Sequence, residues 1–181
     1  MKPRGMLMAE HRLIERMLAI IEKEIIQIEK GRRINSTTID SIVDFMKTFA
    51  DLNHHGKEED ILFSILAKKE MTDEDSQMMQ ELIEEHKFCR KATEDIVQAK
   101  EDYLKGKDTI GIVILTLNSL VRFYPKHIQK EDEIFFPNSE IYLTDEELAS
   151  MIKEFKNFDC TMFQNKYKQI IESLEQANGG I

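Results

Sequence analysis

Two phrases in this chain share a pattern that suits metal ligation. One runs His54-His55-Gly56-Lys57-Glu58-Glu59-Asp60-Ile61-Leu62-Phe63. The other runs His127-Ile128-Gln129-Lys130-Glu131-Asp132-Glu133-Ile134-Phe135-Phe136. Each places a carboxylate four residues after an imidazole, one helical turn along the same face. Two lone histidines, His11 and His86, precede the phrases in alternation. His11 and His86 are 75 residues apart, and His54–His127 and Glu58–Glu131 are both 73 apart. The order His, then His-x-x-x-Glu, occurs twice, as expected of a duplicated helix pair. Helices presenting His and Glu inward are a means by which a helical bundle holds ions in its core.

One His-x-x-x-Glu is weak evidence, because 22 glutamates in 181 residues make it an accident about one time in eight. Four histidines on four separate apolar stripes, two with a carboxylate one turn on, are a different matter. Burying such groups without partners costs several kcal/mol per charge, on the order of what a bound cation removes. A hydrogen-bonded His–Glu network is the alternative without metal. Imidazole and carboxylate without thiolate suit iron, manganese or zinc. Six protein ligands exceed the needs of one tetrahedral zinc and fit two ions joined by both carboxylates, with positions left open for a small molecule.

The elements that must position these residues are helical. In the first segment Leu7, His11, Ile14, Leu18, Ile21, Ile25 and Ile28 form one inward stripe, ended at Gly31. Thr37 with Asp40 offers the start of a second helix over about 37–69, with Val43, Met46, Ala50, His54, Glu58, Ile61 and Ile65 inward. Gly56 inside it is either a tolerated weakness or a place of close approach. Thr72-Asp73-Glu74-Asp75 starts a third helix, which runs to about Leu104 before Gly106 and carries Met79, His86, Cys89 and Thr93 inward. The fourth starts near Asp108 with Val113, Leu117, Leu120, Tyr124, His127, Glu131 and Ile134 inward. It contains Pro125, which should bend it, and is stopped by Pro137. A Thr144/Glu147 capping box begins a fifth helix over about 145–176, with Leu148, Phe155, Met162, Tyr167 and Ile170 facing the rest. Gly179-Gly180 reads as a frayed tail.

The predicted fold is therefore all-α: one domain over 1–181, an up-down four-helix bundle over about 6–136 with an additional C-terminal fifth helix. The net charge of −9 argues against nucleic acid and anionic lipid as partners. No apolar run approaches the roughly 20 residues of a membrane span, and the N-terminus does not read as a signal peptide. Cys89 and Cys160 have no C-x-x-C spacing and read as reduced thiols of a cytoplasmic protein. The methionines fall on helical stripes and read as core filler.

The set His11, His54-His55-x-Lys57-Glu58-Glu59-x-x-Leu62-Phe63, Glu85-His86 and Tyr124-Pro125-Lys126-His127-Ile128-x-Lys130-Glu131-Asp132-x-x-Phe135-Phe136-Pro137 resembles the hemerythrin-like, or HHE cation-binding, family over about residues 6–136. The resemblance implies a non-haem centre of two iron ions with an oxo or hydroxo bridge, interacting with dioxygen, nitric oxide or peroxide. Manganese and zinc are the alternative metals. On this reading His11, His54, His86 and His127 are terminal nitrogen ligands, and Glu58 and Glu131 bridge. The chain departs from the oxygen carriers at Arg90, where they have a second histidine one turn after the third-helix ligand. Asp132 fills the place of their aspartate beside Glu131. The missing nitrogen falls to His55, Tyr124 or water, which puts simple oxygen carriage in doubt.

His55, adjacent to His54, points about 100° away and is expected beside the ligands or at the surface, so that His55→Ala leaves metal content unchanged. Tyr124 is expected as a core residue hydrogen-bonded to a ligand. Glu10 and Glu85 are expected solvent-facing or hydrogen-bonded at the rim, and Glu59 and Glu133 as surface charges. Three functions compete: binding a diatomic gas or peroxide for sensing, storage or detoxification; a redox enzyme consuming peroxide or nitric oxide, with Arg90 stabilising bound peroxide; and a non-redox metal brace or iron-status signal. Monomer and homodimer both remain open.

Overall fold

The computed structural model describes residues 2–159 and 161–178, the backbone alone at 161–165 and 178. Every regular element among them is helical. Helix α1 (Pro3–Gly31) opens on Pro3, whose fixed φ suits a first turn, and stops as Arg32 enters the left-handed region at φ 49°. Its predicted stripe is buried throughout, from Leu7 to Ile28. Helix α2 (Ser36–Asp44) is capped by Asn35, whose side chain accepts the Thr38 N–H, two residues before Thr37, where the sequence placed the cap.

The predicted second helix does not stay α-helical. From α2 it passes into π-helical stretches, π1 (Phe45–His55) and π2 (Lys57–Phe63), before a last α turn, α3 (Ser64–Leu66). A π turn takes one more residue than an α turn, so the inward face slips by a residue. His54 and His55 are both buried, and Leu66 is buried in place of the expected Ile65.

Helix α4 (Asp73–Leu104) starts as read, with the Thr72 hydroxyl accepting the Asp75 N–H, and ends before Gly106 at φ 87°. Helix α5 (Ile110–Lys130) again turns into a π stretch, π3 (Glu131–Phe135), where Phe136 N–H reaches back five residues to the Glu131 carbonyl. The same slip buries Phe135 and leaves the expected Ile134 exposed. Pro137 does not stop the chain. It sits in the opening turn of α6 (Phe136–Ser139), where an N–H is not needed, and a 3₁₀ turn (Glu140–Tyr142) follows.

The predicted fifth helix is two helices. Helix α7 (Asp145–Phe158) has the Thr144/Glu147 capping box, and α8 (Thr161–Asn178) follows a break at Asp159, whose backbone is extended. Cys160, the Gly179-Gly180 tail and the Met162 side chain lie outside the described residues.

Packing gives two apolar clusters. The larger joins Ile14–Ile28 of α1, Ile39–Ala50, Cys89–Ala99, Val113–Tyr124 and, from α8, Tyr167 and Ile171. The smaller joins Leu7, Ile61–Leu66, Met79, Leu82, Phe135, Phe136 and, from α7, Met151 and Phe155. His11 falls between Leu7 and Ile14, His54 between Ala50 and Ile61, His86 between Leu82 and Cys89, and His127 between Tyr124 and Phe135. A polar layer thus separates two apolar ones. No helix among the described residues is long and apolar enough to cross a membrane.

Candidate metal centre

All six residues singled out by spacing converge in this layer, and His55 joins them. His11, His54, Glu58 and Glu131 offer ligand atoms within 4.8 Å of one another; His55, His86 and His127 form a second such group. The carboxylates tie the groups together. Glu58 Oε1 lies 3.4 Å from His54 Nε2 and Oε2 lies 3.4 Å from His86 Nε2. Glu131 Oε2 lies 3.1 Å from His11 Nε2 and 3.4 Å from His127 Nε2, and its Oε1 lies 3.7 Å from His86 Nε2. Residues 54, 55, 58 and 131 all stand on the π stretches, whose wide turns bring neighbouring side chains to one face. His55, expected beside the ligands or at the surface, is brought by this slip into one group with His86 and His127. Its ring is 1% exposed and stacks on that of His86 at 3.9 Å.

The rings are oriented by acids. His11 Nδ1 donates to Asp132 (2.7 Å), His54 Nδ1 to Glu10 (3.0 Å), His86 Nδ1 to Glu59 (2.7 Å) and His127 Nδ1 to Glu85 (2.7 Å). His55 Nδ1 donates to Asp51 one turn back, at 3.3 Å. A carboxylate on Nδ1 fixes the tautomer and aims the Nε2 lone pair inward. The first four form a circuit. α1 holds the imidazole of π1, π2 holds that of α4, α4 holds that of α5, and π3 returns to α1. Each acid also meets a cation: Arg12 on Asp132, Lys57 on Glu10, Arg90 on Glu59 and Lys130 on Glu85.

Glu10 and Glu85, expected solvent-facing or hydrogen-bonded at the rim, make the hydrogen bonds, whereas Glu59, expected as a surface charge, holds His86. Asp132 turns to His11 Nδ1 and Arg12, away from the ligand atoms. Arg90 is committed to Asp51 and Glu59, both at 2.7 Å, and does not reach toward a bound peroxide. Asp51 was missed altogether. The available signal was that four of these acids neighbour a ligand in sequence (Glu10–His11, Glu58–Glu59, Glu85–His86, Glu131–Asp132), yet each serves a histidine of another helix.

What points inward is unsatisfied. Among the described residues, the Nε2 atoms of all five histidines and both oxygens of Glu58 and Glu131 are buried without a hydrogen-bond partner. Burial and the nearby Glu131 push the Glu58 carboxyl well above the ordinary range. Burial opposes charge on Glu131 too, but His127, His11 and His86 outweigh it and hold Glu131 well below that range. Burial likewise disfavours a charged His11, yet Asp132 and Glu131 hold it up at about 9. Burial and the charge on His11 push His54 down to about 4. The layer draws positive charge to a point ringed by lone pairs, and imidazole-plus-carboxylate donors are the set a hard or borderline cation takes. The residues present fit a pair of such ions.

Apolar groups close the layer. Phe63 stacks on His86 at 6.0 Å and Phe136 on His11 at 5.9 Å. A cavity of about 250 Å³ lies on the other side of the three-imidazole group, walled by Met46, Cys89, Thr93 and Tyr124 and rimmed by Asp51 and Arg90. Tyr124 is buried there with its ring 6.5 Å from that of His55, and it faces Cys89 across the cavity wall. Burial raises both groups, the Cys89 thiol to about 12.

The hemerythrin HHE cation-binding domain family matches this chain over residues 3–139. The protein belongs to that family. No curated protein and no solved structure matches it. The family's cation binding agrees with the site. The match stops at Ser139, so the break at Asp159 and the helices on either side of it lie beyond the shared part.

Proposed function

We propose that the protein holds two iron ions between its helices and binds a small diatomic molecule or peroxide there (dioxygen, nitric oxide or hydrogen peroxide), for sensing, storage or detoxification. The observation that carries this is the set of nine inward lone-pair atoms with every imidazole already oriented by a carboxylate. When bound, the iron pair supplies redox-active coordination positions for the small molecule. His55, His86 and His127 would hold one ion, His11 and His54 the other, with Glu58 and Glu131 between them. A small molecule would be received beside His11 and His54, where fewer imidazoles stand, next to Phe136 and Leu7. Those apolar neighbours exclude water, and the acid circuit keeps the imidazoles in place as ligands come and go.

The finer fold follows the same reading. It is one domain, an up-down four-helix bundle of α1, α2 with its π stretches, α4 and α5, with α7 and α8 appended. The packing of α1 and α4 on α5, and of α4 on π1, supports it. The cytoplasm is its proposed location, on the reading of Cys89 as a reduced thiol. Consumption of peroxide is a weaker reading now that Arg90 is engaged elsewhere. The deciding experiment is metal analysis of protein purified without added metal, followed by optical spectra of the reduced protein on exposure to oxygen and nitric oxide. Two iron equivalents and a spectral change are expected. No metal, or no response to either gas, would overturn the reading.

A further inference from the structure

The four cations of the acid circuit are not equivalent. Arg12, Arg90 and Lys130 all keep side-chain exposure of 25% or more, whereas Lys57 is wholly buried. A buried ammonium needs more than one acid around it. Lys57 has two, from distant parts of the chain: Glu10 of α1, whose other oxygen accepts from His54 Nδ1, and Asp159 at the break between α7 and α8. Asn53 completes the cluster: with its amide turned so that oxygen meets the ammonium, the oxygen lies 3.2 Å from Lys57 Nζ and the nitrogen 3.1 Å from Asp159 Oδ1. One residue back, Gly56 lets Phe158 lie against the chain. A Cβ there would stand 3.0 Å from the Phe158 ring. The end of α7 is thus latched to the π turn between His54 and Glu58 by one apolar and one ionic contact.

We propose that Lys57 is a positioning residue that couples the α7–α8 junction to the metal ligand His54. With Asp159 in place, Lys57 is held on Glu10, and Glu10 is held on His54 Nδ1. If the junction moves away, Lys57 loses half its compensation, Glu10 is drawn to it, and His54 loses the acceptor that aims its Nε2. Coupling of this kind is reciprocal, so a cation on His54 steadies the junction in turn. A partner chain that grips or releases α7–α8 would change metal retention at the two-imidazole group and leave the three-imidazole group alone. This rests on the two-ion reading above.

The test is anaerobic titration of the metal-free full chain with cobalt(II), read optically. The variants are Asp159→Asn, Lys57→Met and, as a control, Glu175→Gln, which frees α8 from Arg16 of α1 (2.8 Å) far from the latch. Asp159→Asn should weaken one of two equivalents by about tenfold and spare the other, Lys57→Met should do the same or more, and Glu175→Gln should match the wild type. Amides 152–158 should gain hydrogen-exchange protection on metal loading in the wild type and not in Asp159→Asn. Wild-type affinity for both equivalents in Asp159→Asn would overturn the coupling. If the wild type itself takes fewer than two equivalents, the two-ion reading fails, and the latch is judged on metal-free protein. Glu10→Gln should then speed exchange at 152–158, and unchanged exchange there would overturn it.

Discussion

The larger apolar cluster and the polar layer beside it share the same four helical segments, with α8 added to the cluster, yet they obey different rules. In the cluster, α1 and α5 keep regular turns, and every residue of the four-three stripe from Ile14 to Ile28 and from Val113 to Tyr124 is buried, with Met17 and Ile20 of α1 buried beside it. In the layer, two of the segments widen into π turns, and the stripe loses its phase. The cluster needs only burial, which any residue of suitable size supplies. The layer needs seven polar side chains at one point, and the extra residue of a π turn brings two neighbours of one helix, His54 and His55, into it together. Apolar packing and the candidate metal-binding groups are thus divided between adjacent slabs of the same helices.

The sharpest way to break that contrast is to truncate one residue in each slab. Leu117→Ala should cost about 2–5 kcal/mol of unfolding free energy by leaving a cavity, and the folded fraction should still take two metal equivalents. Glu58→Ala should do the reverse. It removes a buried carboxylate that nothing satisfies without metal, so the metal-free protein should be no less stable, while metal content falls to one equivalent or less. Denaturant melts of the metal-free forms and metal analysis of the loaded forms separate the two. Two full equivalents in Glu58→Ala would end the bridging assignment.

His55→Ala tests the π slip itself. A regular α turn would leave this residue outside the ligands and its loss without consequence. The observed turn puts its Nε2 with those of His86 and His127, so one of the two equivalents should be lost, read by metal analysis against His54→Ala. The contrast also shows what was legible beforehand. Types and spacing were enough to bring His11, His54, Glu58, His86, His127 and Glu131 to one layer, because each His-x-x-x-Glu pair lies one turn apart in α or π geometry alike. His55, Phe135 and Leu66 were not legible. A π turn has no residue signature of its own and is selected by what it brings together. Asp51 and the acid circuit were hidden for a related reason. Contacts between helices depend on rotation and height, which a periodicity within one helix does not carry. The break at Asp159 lay under a continuous apolar pattern, and only the buried Lys57 that it meets gives it a purpose.

A smaller effect is expected one shell further out. Arg90→Gln leaves every ligand in place and removes the cation shared by Asp51 and Glu59, the acids that hold His55 and His86. Affinity should fall by about tenfold, confined to the three-imidazole ion. Equal loss at both ions would show that the layer responds as one body rather than as two groups.

The smallest effect concerns the opposite end, where the smaller cluster is closed by Asp75. Its carboxylate accepts from Tyr142 (2.6 Å), Asn138 (2.9 Å) and the Thr72 hydroxyl (3.1 Å), pinning the 3₁₀ turn after α6 to the first turn of α4. Those hydrogen bonds, Tyr142 foremost, hold it below the usual aspartate range. Because the folded value is depressed, the stabilisation is complete above the unfolded value of about 4 and disappears as pH falls through the folded value. Asp75→Asn should therefore cost about 1–2 kcal/mol at neutral pH, and the gap to the wild type should narrow as pH is lowered toward 3. Metal stoichiometry should not change, since no ligand or orienting acid is touched. A gap that stays constant with pH would mean that the turn is held by its apolar contacts with Leu143 and Phe136 and not by the charge.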